Sequence, residues 1–240
     1  MIHLEFDDSI AVIRIDRPER RNALNLEAVE ALDAAVSSLD DTTRAVLITG
    51  VDGHFCAGAD LTELEDLTFT HRLRVMLDHL VDLPIPTIAA ISGSCMGLGM
   101  QLAVACDIRI ATDDARFAVP VAKLGLMVDH WTLRRLVALF GHGAARHMVL
   151  SAAILDAADG HRLGFVQELG SLDTAMATAR RIASLAPLSI AGSKLGLNLL
   201  DPPVDTAAYQ AAFEAAWRSA DLEEGRRAFA ERRSPRFSGR

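Results

Sequence analysis

Two short runs of small residues constrain this chain more than anything else in it. Phe55 to Leu61 (FCAGADL) and Gly93 to Leu102 (GSCMGLGMQL) each set glycine and alanine between a strand-like and a helix-like segment. Gly58, flanked by alanines, leaves the backbone open to a ligand, and three glycines precede the apolar helix of the second run. Amides at such helix starts point at a carbonyl or an anion. Two such loops together can offer two backbone N–H groups to one oxyanion. Taken singly, each is equally well read as a glycine-rich strand-to-helix turn.

The segments around the loops alternate between strand and helix. Ile2 to Phe6 and Ile10 to Ile15 read as a hairpin about Asp7, Asp8 and Ser9. Leu26, Val29, Leu32, Val36 and Leu39 recur at helical spacing behind Asn25 as N-cap. Ala45 to Thr49, Thr87 to Ser92 and Ile108 to Ala111 read as strands, and an apolar helix runs from Gly99 to Cys106. Trp131 to Phe140 and Ala144 to Leu150 read as two helices separated by Gly141, His142 and Gly143. From Leu172 onward the pattern is helical almost throughout. The simplest division is an α/β body over residues 1–170 and a helical region over 171–240, without repeats or low-complexity linkers.

Charge and cysteine content narrow the function classes. A net charge of -8 over 240 residues argues against nucleic-acid binding, so an anionic ligand must be met by local arginines. No apolar stretch is long enough for a membrane span, and the opening MIHLEFDDS carries acid where a secretory signal needs base; a cytoplasmic location is expected. Cys56, Cys95 and Cys106 lie in apolar surroundings with no CxxC spacing, which points to reduced packing residues. No HExxH or HxxxH pattern suggests a metal, and no cofactor is expected.

The two loops, together with RPERRNALN at 17–25, CDIRIA at 106–111, ARFAVP at 115–120 and AFAERRSPRFSG at 228–239, closely resemble the crotonase (enoyl-CoA hydratase/isomerase) family over nearly the whole chain. The resemblance implies a spiral of ββα units with a helical C-terminal trimerisation region, assembling as a homotrimer or dimer of trimers. It implies a CoA thioester as ligand, its carbonyl held by the N–H groups of Ala59 and Leu98. The adenine pocket falls around Ala57, Asp60 and Leu61, with Arg20 and Leu24 near the pantetheine and phosphates. Phe229 and Arg232 match positions that touch the CoA of a neighbouring subunit. As bare sequence, Arg20 and Arg232 read first as solvated surface arginines. Phe213, Trp217 and Phe229 give the C-terminal helices apolar faces suited to assembly.

The departures from the family pattern carry the functional expectation. The two positions that hold glutamate in the hydratases are Gln101 and Val121, and neither exchanges a proton at neutral pH. Gln101 also reads as a buried structural amide. Where hydratases have a glycine-rich turn, this chain has Val128, Asp129, His130 and Trp131, which reshape the acyl pocket. Asp129, eight residues past Val121, matches an acidic residue used in the dienoyl-CoA isomerases and aroyl-CoA dehalogenases of the family. Its rival readings are an N-cap for the helix near Trp131 or an ion pair with Arg134 or Arg135. His71, His79 and His130 are further candidate bases. These features resemble a hydratase-inactive branch that binds fatty acyl-CoA in lipid metabolism. An isomerase or hydrolase using Asp129 is the alternative, followed by residual enoyl-CoA hydratase (lyase) activity.

Overall fold

The computed structural model describes residues 1–61, 67–200, 211, 214–215 and 217–237. Strands β1 (Ile2–Asp7) and β2 (Ile10–Ile15) pair antiparallel with Ile2 opposite Ile15, closing through a left-handed Asp8. After helix α1 (Leu26–Ser37), capped by the Asn25 side chain on Ala28 N, comes β3 (Ala45–Gly50). Helix α2 (Leu67–Asp82) leads to β4 (Thr87–Ile91), a short β5 (Ser94–Met96) and helix α3 (Leu98–Ala105). Strands β6 (Ile108–Ala111) and β7 (Arg116–Ala118) precede a 3-10 turn at Val121–Leu124 and helix α4 (His130–Ser151). The two helices expected around Gly141 abut directly, kinked at Gly141, whose backbone is non-helical.

Beyond α4 lie β8 (Leu155–Asp156), α5 (Ala157–Arg162), β9 (Glu168–Leu169), α6 (Leu172–Ala183), α7 (Pro187–Asn198) and α8 (Ala220–Ala230). The large sheet runs β1-β2-β3-β4-β6-β9 and is parallel from β2 onward; the small sheet runs β5-β7-β8. The chain therefore spirals. It lays β4 in the large sheet and β5 in the small one before α3, then β6 and β7 before α4. In the turn before these, the second strand shrinks to a single bridge between Cys56 and Cys95.

Both faces of the large sheet are covered, so its parallel strands read as continuous apolar runs. Ile13, Val46 and Ile48 point to one core with α1, α2 and α3, while Val12, Ala45 and Leu47 point to another. The second core is closed by Ala175, Ala179 and Ile182 of α6, so the first of the C-terminal helices lies on the sheet. Helix α7 is tied to the same body by Lys194, whose Nζ reaches Asp107 at 2.7 Å and Ile85 O at 3.0 Å. All eight residues of α3 are buried, which explains why it has no polar face.

The fit of α3 is tightest at Gly99, where a Cβ would stand 2.3 Å from the Cys56 carbonyl oxygen. Gly99 is helical, so alanine would gain about 1 kcal/mol of intrinsic helix preference on an open surface. Overpacking opposes that gain with about 1 to 3 kcal/mol. Gly99→Ala is expected to lower the urea unfolding midpoint, and an unchanged or raised midpoint would show that the loop yields freely.

Candidate active site

The two glycine loops meet at the start of α3. Ala59 forms a parallel bridge with Leu24, in which Leu24 N donates to Gly58 O at 2.9 Å and Asp60 N to Leu24 O at 2.8 Å. That ladder uses the groups on either side of Ala59 and turns Ala59 N the opposite way. Leu98 is the first residue of α3, so its N–H has no intrahelical acceptor. Neither Ala59 N nor Leu98 N has a protein hydrogen-bond acceptor among the described residues. Gly58 sits at φ 120, and a Cβ there would lie 3.3 Å from Met96 O and 4.0 Å from Leu98 N. Only glycine permits the approach.

Ala59 and Leu98 line a cavity of about 1430 Å³. Ala57, Asp60, Leu61 and Arg20 lie on its wall. The Asp60 carboxylate is almost fully buried and draws in Arg17 at 3.2 Å and Arg20 at 3.8 Å, which fastens the RPERR turn to the loop. Arg20 remains half exposed beside the cavity. Leu24 is the exception among the expected contacts. It is fully buried, packs into the main core and does not line the cavity, because its backbone ladder with Ala59 carries the side chain inward.

Gln101 and Val121 both line the cavity. Gln101 is buried, and its Nε2 donates to Thr132 Oγ1 at 2.9 Å. Thr132 in turn donates its hydroxyl to Asp129 Oδ1, and the same oxygen accepts from Thr132 N at 2.9 Å. Asp129 is therefore the N-cap of α4, which starts at His130, one residue earlier than its apolar pattern indicates. An ion pair is made across to α2, with Arg74 Nη1 at 3.6 Å from Asp129 Oδ2. Asp129 thus caps the first turn of α4 with one oxygen and faces the neighbouring helix with the other. Arg74 also stacks 3.8 Å from the Trp131 ring centre and pairs with Asp78 at 2.6 Å.

A profile of the family described as Enoyl-CoA hydratase/isomerase matches residues 5–240. The chain is 40% identical over 243 residues to a protein of Mycobacterium tuberculosis named probable enoyl-CoA hydratase echA6, covering 100% of both. Among solved structures it resembles a methylmalonyl-CoA decarboxylase at TM-score 0.91 and 25% identity, covering 100% of this chain and 98% of that one. A carnitinyl-CoA hydratase from Mycobacterium avium matches at TM-score 0.84 and 32% identity, with the same coverage. The chain belongs to the enoyl-CoA hydratase/isomerase family. It has the α/β crotonase fold with C-terminal helices and is a family protein of acyl-CoA metabolism.

In this crotonase-family chain the C-terminal helix covers the cavity of its own subunit. Phe229 and Arg232, matched to contacts with a neighbouring subunit's CoA, line the cavity of the chain that carries them. Helix α8 packs on the 3-10 turn bearing Val121, so closely that a Cβ on Gly225 would stand 2.4 Å from Leu124 O. Buried Glu224 accepts from Arg233 at 2.6 and 3.0 Å, from Arg227, and from Arg236 N at 2.9 Å. Those bonds, Arg233 first, hold its carboxyl well below the usual carboxylate range. Trp217 also lines the cavity and packs against the chain's own core, while Phe213 lies outside the described residues.

Of the three histidines, His71 and His130 line the cavity, whereas His79 pairs with Asp33 at 2.7 Å elsewhere. Burial pushes the Cys56 and Cys106 thiols up to about 12, and Cys95 well above its ordinary value, so none is poised as a nucleophile. Among the described residues no cluster of His, Cys, Asp or Glu could hold a metal, and no helix is long and apolar enough to cross a membrane. Sequence reasoning missed Arg74, Thr132 and Glu224. Only Thr132 left a local signal, as the third helical residue after a candidate cap.

Capping makes the two Asp129 variants distinguishable. Asp129→Ala removes the acceptor for Thr132 N and is expected to cost about 0.5 to 2 kcal/mol, whereas asparagine caps nearly as well. Chemical denaturation should show a loss for alanine several times larger than for asparagine. Equal losses would mean that the charge facing Arg74, and not the cap, holds this end of α4.

Proposed function

We propose that this protein binds fatty acyl-CoA thioesters in lipid metabolism without ordinary enoyl-CoA hydratase turnover. One observation carries the reading. Two backbone N–H groups stand ready for a thioester carbonyl at Ala59 and Leu98, while the cavity wall beside them offers Gln101 and Val121, which cannot transfer a proton. Hydration needs a base for water and an acid for the α-carbon, each contributing about 10²- to 10⁴-fold. The cavity volume of about 1430 Å³ suits an extended ligand. Arg20 and Arg232 at its wall supply positive charge for the CoA phosphates, and the Ala57 to Leu61 loop receives the adenine. The relatives are named for hydration and for decarboxylation, so the scaffold does not fix the reaction.

Asp129 is the acid beside Gln101 in the cavity wall, with one oxygen committed to Thr132 and the other facing Arg74. These commitments favour its capping role over acid/base work. Turnover of dienoyl-CoA or 3-enoyl-CoA esters that falls about 10²-fold in Asp129→Asn would instead make the protein an isomerase.

Assembly as a trimer or dimer of trimers belongs to the same proposal. Leu188, Leu195 and Leu199 on and just beyond α7 are 87%, 62% and 73% exposed, and their spacing places them on one stripe. Such a stripe is covered in an oligomer. Light scattering is expected to give three or six subunits for the wild type and a smaller species for Leu188→Asp with Leu195→Asp. A monomeric wild type at micromolar concentration contradicts the assembly.

For the chemistry, crotonyl-CoA hydration by the wild type is expected to fall below the ordinary range of about 1 to 10³ per second. Saturated acyl-CoA should bind in calorimetry under the same conditions. Gln101→Glu with Val121→Glu should recover only part of the activity, because a carboxylate in place of the Gln101 amide has no N–H for Thr132 and faces Asp129 across it. Wild-type turnover within the ordinary range would overturn the hydratase-inactive reading.

A further inference from the structure

The hydrogen-bond chain from Gln101 to Asp129 has a direction, and the direction determines what the cavity shows to an acyl group. Asp129 carboxylate oxygens only accept, so the short contact from Thr132 Oγ1 to Asp129 Oδ1 uses the single hydroxyl hydrogen of Thr132. Thr132 Oγ1 is left with lone pairs, and what it receives from Gln101 must be an N–H. Turning the amide over would set its oxygen against those lone pairs. The arrangement is doubly fixed, because Asp129 Oδ1 is also held by Thr132 N at 2.9 Å and Thr132 is fully buried.

The consequence falls on Gln101 Oε1, which has no protein hydrogen-bond partner among the described residues while its residue lines the cavity. Gln101 follows Leu98 by three positions on α3, so the two lie on the same helical face, with Cβ atoms about 5 to 6 Å apart. Ligand atoms that meet the amide oxygen therefore lie within a few bonds of a carbonyl held at Leu98 N.

We infer that Thr132 and Asp129 fix the Gln101 amide with its oxygen toward the ligand, so that the site selects acyl thioesters carrying a hydroxyl close to the thioester. This inference rests on the acyl-CoA reading above and adds the acyl class. A hydroxyl donates to Oε1. A saturated chain covers that oxygen without replacing the water it loses, which leaves a buried acceptor unsatisfied. An oxo group is worse, since it opposes one acceptor with another. Thr132 is a positioning residue here, acting on the ligand only through Gln101.

Titration calorimetry with octanoyl-CoA, 3-hydroxyoctanoyl-CoA and 3-oxooctanoyl-CoA tests the order. The wild type is expected to bind the hydroxy ester about two- to tenfold more tightly than the saturated one, the span of one net hydrogen bond, and the oxo ester more weakly than either. Thr132→Val frees the amide to turn, so the hydroxy-to-oxo preference should collapse toward unity, and Thr132→Ser should restore it. A merely structural role for Thr132 would not move that ratio. Equal affinity of the wild type for hydroxy and saturated esters, or a ratio untouched by Thr132→Val, overturns the inference while leaving acyl-CoA binding intact. If the valine variant fails to fold, the wild-type order alone decides. If no ester binds, the acyl-CoA reading falls and takes this inference with it.

Discussion

The first turn of α3 rests against the backbone of Cys56 at a distance that admits no side chain at Gly99. That contact joins the two glycine loops, and much of the site follows from it. It sets Leu98 N beside Gly58 and places Gln101, three residues further, at the cavity wall, on a helix whose eight residues are all buried. The pair of amides left without a protein acceptor is thus a by-product of close packing between two backbones. Side-chain identity at Leu98 hardly enters, because the group left without an acceptor there is the backbone amide.

Burying a short helix whole leaves its polar ends to be satisfied. The C-terminal end of α3 is met by Arg109, a buried guanidinium whose bonds all go to carbonyl oxygens, including Ala103 O at 3.2 Å and Cys106 O at 2.6 Å. Phe165 O, Asp107 O and the Gln167 side chain complete the set. Burial lowers its pKa to about 10, still above neutrality, so the cation persists. A positive charge at the helix C-terminus complements the helix dipole. The opposite end, where partial positive charge gathers, is the end that faces the cavity.

The acyl side of the cavity is built on a different principle. Gln101, Thr132 and Asp129 form one chain of donors and acceptors from α3 to the start of α4, and an ion pair with Arg74 extends it to α2. Trp131 lies against the same Arg74 and closes the wall. Here an amide stands at its cavity end and a capping carboxylate at the other, so its effect is to fix orientation. A scaffold shared with hydratases and a decarboxylase can therefore keep its backbone hole and still present different chemistry from its side chains.

Sequence alone determined the parts of this protein that depend on local pattern. The hairpin, α1 with its Asn25 cap, the buried strands and the two loops follow from periodicity and from glycine placement, and the quoted motifs sufficed to place the chain in its family. The place of Gln101 and Val121 at the site was legible for the same reason, since each follows at a fixed register from its own motif, and both line the cavity. Tertiary structure decided what depends on neighbours distant in sequence. Asp129 came within 3.6 Å of Arg74, 55 residues earlier in sequence and on another helix. Leu24 turned inward because its backbone pairs with Ala59. Phe229 and Arg232 came to their own chain's cavity because Gly225 lets α8 settle on the turn after Pro120. No spacing rule encodes these contacts. Each arises where two segments meet only after the chain has spiralled back on itself.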